Sequence, residues 1–177
     1  MVKYLVSGLI ALAALVTSGT AQAQTATQDI SLTATVTSYC TINNLVAGAV
    51  INETIPVTNG VVDPTVISNT VASVACNNTA DVVATSLSGG VTTGGIPPVG
   101  TTNIIDYTAV ATFGGATSTI NTATTGGAAG NEAGNTATTA SAATGNLVVN
   151  ITPAQPALPL MPSAAYADTL RVTLTAN

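Results

Sequence analysis

Two segments at opposite ends of the chain alternate apolar and polar residues with a period of two, which requires extended structure buried on one face. Between Asp29 and Thr37, the side chains of Ile30, Leu32, Ala34 and Val36 fall on one side of a strand, and Ser31, Thr33, Thr35 and Thr37 fall on the other. Between Thr169 and Thr175, Leu170, Val172 and Leu174 share one side, opposite Thr169, Arg171, Thr173 and Thr175. Full burial of each large apolar side chain stabilises by about 1.5–3 kcal/mol, so each segment must find a sheet to join. A strand near the N-terminus can complete its own sheet, or it can leave and complete a neighbour's.

What precedes the first segment reads as an export signal. Lys3 supplies a positive start, Leu5 to Val16 is an apolar run, and Ala21-Gln22-Ala23 is a small-x-small cleavage site, so residues 1–23 are expected to be removed. The apolar run is shorter than the roughly 20 residues needed to span a bilayer, so the mature chain is expected to carry no membrane span. Removing 23 of 177 residues leaves 154, the size of one domain.

The charge balance excludes whole classes of function. After processing, Arg171 is the single basic residue against seven acidic ones, so no basic patch exists to neutralise phosphates and nucleic acid is not an expected partner. Histidine is absent and charged residues make up 5% of the chain, so no Ser-His-Asp or Cys-His constellation can be built. The carboxylates are scattered singly, without paired spacing, and read as solvated turn residues. Asp63 and Asp81 could contribute to a calcium site, but no EF-hand loop or repeated Gly-Asp motif accompanies them, so neither metal nor cofactor is expected. The chain reads as a non-enzyme. Low complexity could signal disorder, yet disordered chains are rich in charge and poor in β-branched apolar residues, the reverse of this one.

Cys40 and Cys76 are the two cysteines, and in an exported chain they are expected to form a disulfide. Closing that loop stabilises by about 3–4 kcal/mol on a chain-entropy argument and ties the first strand to a later one. A redox or metal role lacks both a CxxC spacing and a histidine partner.

Between the terminal segments, short β-type runs cover 46–50, 54–57, 66–76, 82–87, 104–113 and 147–151, separated by turn pairs such as Asn59-Gly60, Gly89-Gly90 and Gly114-Gly115. This rhythm predicts an all-β, antiparallel β-sandwich. Residues 116–146, rich in Ala, Thr, Gly and Asn, read as a long exposed loop or a weak hairpin. Pro153, Pro156, Pro159 and Pro162 predict an extended connection crossing between two sheets before the last strand.

Taken in order, the cleaved signal, the run from Asp29 to Tyr39 ending on Cys40, the run Val71-Ala-Ser-Val-Ala-Cys76-Asn-Asn-Thr, and the closing Tyr166-Ala-Asp168-Thr-Leu-Arg-Val-Thr-Leu-Thr resemble the spore coat protein U domain family, which includes the major pilins of archaic chaperone-usher pili. The resemblance covers the first and last thirds of the mature chain. It implies an immunoglobulin-like sandwich over 39–177 that lacks its last strand, preceded by a donor-strand segment over 24–38. Ile30, Leu32, Ala34 and Val36 would then plug a neighbour, and Leu170, Val172 and Leu174 would line the acceptor edge. The partners implied are identical subunits in a homopolymer, a periplasmic chaperone and an outer-membrane usher. The product would be a cell-surface fibre, exported through the periplasm and serving adhesion or biofilm formation. The other reading is a self-complete secreted spore-coat-like or matrix sandwich whose first strand pairs within its own sheet and which does not polymerise.

Overall fold

A computed structural model describes residues 31–42, 53–93, 95–124, 132–162 and 165–177. Val36–Asn177 form one compact unit and the residues before Val36 a separate one. The described part is all-β. One antiparallel sheet contains, in spatial order, β1 (Cys40–Thr41), β4 (Ile67–Cys76), β12 (Ala143–Pro153), β8 (Tyr107–Phe113) and β9 (Ala116–Asn121). In the second, β5 (Ala80–Ser86) is central; β10 (Glu132–Ala133) and β11 (Ala137–Thr138) share one of its edges and β13 (Leu170–Ala176) takes the other. Two small ribbons, β2 (Val57–Thr58) with β3 (Val61–Val62) and β6 (Val91–Thr92) with β7 (Ile104–Ile105), complete the set.

The two sheets face each other as a β-sandwich. Val82 and the small residues Ala80 and Ala84 of the second sheet pack against Val74, Ala109, Ala111, Phe113, Ile120 and Leu147 of the first. In β5 and β8 inward residues are sealed and outward ones are half-buried, the alternation of strands with a single core face. Asn59-Gly60 and Gly114-Gly115 are two-residue hairpin turns with positive φ at both positions (54° and 78°, 54° and 82°), the geometry that matches strand twist. The proline-rich stretch does cross between sheets, leaving the first at Pro153 and entering the second at Leu170.

Cys40 and Cys76 are bonded, with Cα atoms 4.2 Å apart, and sit directly opposite each other in the β1–β4 pair. The Asn77 N–H donates to the Tyr39 carbonyl at 3.2 Å, which marks a non-hydrogen-bonded pair, where facing side chains come closest.

The expectation for 116–146 needs correction. Residues 116–121 form β9, a full hairpin partner of β8, with Ala116, Ser118 and Ile120 buried. The later part of the segment supplies β10, β11 and the start of β12. Apart from Ile120, the inward residues of β9 are small or hydroxylated, so no apolar alternation announces the strand. The expected strand at 46–50 lies outside the described residues.

Candidate functional site: an unpartnered strand edge

β13 pairs residue for residue with β5, from Leu170 opposite Ser86 to Ala176 opposite Ala80. Among the described residues its other edge has no partner strand. The ladder fixes what that edge presents. The Leu87 N–H donates to the Thr169 carbonyl at 3.0 Å and the Asn177 N–H to the Thr79 carbonyl at 2.9 Å, so residues 171, 173 and 175 bond to β5 while Leu170, Val172, Leu174 and Ala176 aim their N–H and C=O groups at the open side. A row of such groups is a template for another strand.

The same residues turn their side chains inward. Leu170, Val172 and Leu174 pack against the core yet stay only half-buried, although Ala80, Val82 and Ala84 on the adjacent strand are fully sealed. Across the gap, in the facing sheet, β4 among the described residues has β1 against Cys76 and Ala75 alone, and Val71 is likewise half-buried. In β4, Ala72 and Ser73 together oppose the single residue Asn146, a bulge with Ser73 at a φ of 57° that keeps both Val71 and Val74 on the inner face.

Both ends of β13 are held. At its end, the Asn177 carbonyl accepts from the Ser38 hydroxyl at 2.8 Å and from the Asn78 amide. Just before its start, Asp168 accepts four hydrogen bonds: from the Tyr107 hydroxyl and the Ser86 hydroxyl at 2.6 Å each, the Ser88 N–H at 2.9 Å and the Thr169 N–H at 2.7 Å. Burial, reinforced by that neighbouring carboxylate, pushes the Tyr107 phenol above its ordinary value, so it remains a neutral donor. Glu132, 8% exposed, lies beneath Gly89 in the same region. The fold thus gathers two carboxylates that lie far apart in sequence, and Asp168 with its donors forms a latch on the edge strand. No spacing in the sequence announces it, because Ser86, Tyr107 and Asp168 come from three elements.

The N-terminal segment is placed differently. Residues 31–39 belong to no strand and are exposed, with Leu32 at 90% and Val36 at 78%. Ile30 lies outside the described residues. Because β1 runs antiparallel to β4 from Cys40 opposite Cys76, the chain before Cys40 runs off the end of the sheet, past Asn77, whose side-chain amide donates to the Thr37 carbonyl at 2.9 Å.

No known protein family, curated protein or solved structure matches this chain. Among the described residues, no cluster of three acidic, histidine or cysteine side chains could hold a metal, and no helix is long and apolar enough to cross a membrane. Asp63 and Asp81 bond to separate partners, Thr65 in one case, Thr138 and Asn177 in the other.

Proposed function

We propose that this chain is the structural subunit of an extracellular fibre, assembled by insertion of residues 30–36 of one copy along the open edge of β13 in the next. The observation that carries the reading is that edge. Its outward backbone groups lack a strand partner among the described residues, its inward face is half-covered, and an exposed segment with matching two-residue periodicity ends at Val36, three residues short of the disulfide-bonded Cys40. β13 and the span from Ile30 to Val36 are both seven residues long.

Backbone pairing would supply affinity, and alternating side chains would supply fit. Ile30, Leu32 and Val36 would each contribute about 1.5–3 kcal/mol on going from water into the gap, and Leu170, Val172 and Leu174 would gain the remainder of theirs. Before assembly the same edge is an aggregation hazard, so a chaperone lending a strand to it, and an outer-membrane usher exchanging that strand for a subunit's, belong to the reading. The role is adhesion or biofilm formation at the cell surface.

The test is to purify the exported protein without boiling and resolve it in SDS. A ladder of resistant species is expected from the parent chain and only monomer from Ile30→Asp with Leu32→Asp. A monomer in both would favour the self-complete coat or matrix protein.

A further inference from the structure

The two ends of the sandwich differ in chemistry, and the direction in which a donor strand enters decides which end meets the next copy. The near end holds the end of β4, Asn77, Asn78 and Asn177, and from it the N-terminal segment departs. The far end holds the start of β13, the loop 95–101, the β2–β3 turn and the proline-rich crossing, linked through a Thr102–Leu160 bridge and a hydrogen bond from the Val62 N–H to Gln155.

The near end is amide-rich. The far end is apolar: Ile96 is 94% exposed, Val99 106%, Val61 59% and Leu158 48%. Beside them Val57, Gly60, Leu160, Met161, Pro162 and Tyr166 line a cleft of about 400 Å³. Exposed apolar residues gathered on one end of a charge-poor protein mark a contact surface.

Only three residues separate Val36 from the disulfide-anchored Cys40. Four Cα–Cα steps reach at most about 14 Å, so an inserted donor strand brings the body of its own molecule against the acceptor. If the donor runs parallel to β13, Val36 finishes beside Asn177, and near end meets near end. Each copy can then fill the other, which closes a two-fold dimer. If it runs antiparallel, Val36 finishes beside Leu170, and the near end of one copy meets the far end of the next, which leaves the chain of contacts open. The antiparallel ladder is also the slightly more stable per residue.

Resting on the assembly reading above, we propose that the far end is a second docking surface for another copy of this chain, taking the near end of the incoming subunit with Tyr39 as its anchor. Tyr39 is 51% exposed and lies on the short tether itself. An aromatic anchor seated against an apolar surface is the usual centre of such a contact. This body-to-body contact selects antiparallel insertion, and with it a filament over a closed dimer.

The test compares SDS-resistant species from the parent chain, from Ile96→Asp with Val99→Asp, and from Tyr39→Ala, with negative-stain microscopy of each. All these side chains are exposed, so an unchanged unfolding midpoint is expected. The proposal expects both variants to lose the rungs above the dimer and the visible fibres while keeping a resistant dimer, since the donor segment is intact. Ladders and fibres of parental length in both variants would overturn it. A parent chain that forms no resistant species would instead overturn the assembly reading on which it rests.

Discussion

The two long sides of this sandwich are finished in opposite ways. On one, β9 of the first sheet is stitched to the β10–β11 segment of the second. The Ser118 hydroxyl donates to the Asn135 carbonyl at 2.6 Å and accepts from the Ala84 N–H at 3.0 Å, and the Thr119 N–H donates to the Asn135 side chain at 2.7 Å. Gly134 runs so close that a Cβ there would lie 2.3 Å from the Thr119 carbonyl oxygen. On the other side, no strand among the described residues lies between β13 and β4 beyond the short β1 at one end. On the proposed assembly, the open side is the place that a donor segment fills.

The sealed side should be the more fragile to substitution. Gly134→Val puts side-chain atoms into backbone that cannot move aside, and a loss of about 3 kcal/mol or more is expected in denaturant unfolding. A loss under about 1 kcal/mol would mean the two sheets are less tightly joined there than described. On the open side, Val172→Ala removes a half-buried side chain, so roughly 1 kcal/mol is expected for the monomer and about twice that for the subunit in a fibre. Equal losses in both states would show that nothing further covers Val172 on assembly.

The smallest effect concerns acid. Asp81 is held below the usual carboxylate range by hydrogen bonds from the Thr138 hydroxyl and then the Asn177 amide. A carboxyl lowered in the folded state stabilises it when ionised, a contribution present above the ordinary carboxylate value and lost as pH falls through the folded one. Asn177 closes β13, so acidification is expected to loosen that terminus first, read as a lower protection factor for the Asn177 amide, relative to its intrinsic exchange rate at each pH, with no change in the core.

How much of this was legible beforehand depended on side-chain size. The alternation at 66–76, 104–113 and 169–175 is carried by Val, Ile, Leu and Phe, and strands stand there, as do the turns at Asn59-Gly60 and Gly114-Gly115. β9 was hidden because Ala116 and Ser118 bury without being conspicuously apolar, Ser118 through its two hydrogen bonds. The bulge at Ser73 leaves one trace, the three-residue spacing of Val71 and Val74 within a two-residue pattern. The Asp168 latch left none, since it depends on three separate elements meeting. Leu170, Val172 and Leu174 could be assigned to one face from sequence, but that this face is half-covered, and its backbone without a second strand partner among the described residues, required the ladder.

That ladder also gives the most direct measurement. Amide hydrogen exchange, resolved by residue, should be recorded for a soluble monomer carrying Ile30→Asp and Leu32→Asp and for the assembled parent protein. The Arg171, Thr173 and Thr175 amides bond to β5 and should be protected in both. The Val172 and Leu174 amides face the open edge, and they should exchange freely in the monomer and become protected on assembly. Val172 and Leu174 amides already as protected as Thr173 in the monomer would contradict the account, because the edge would then be filled from within the chain.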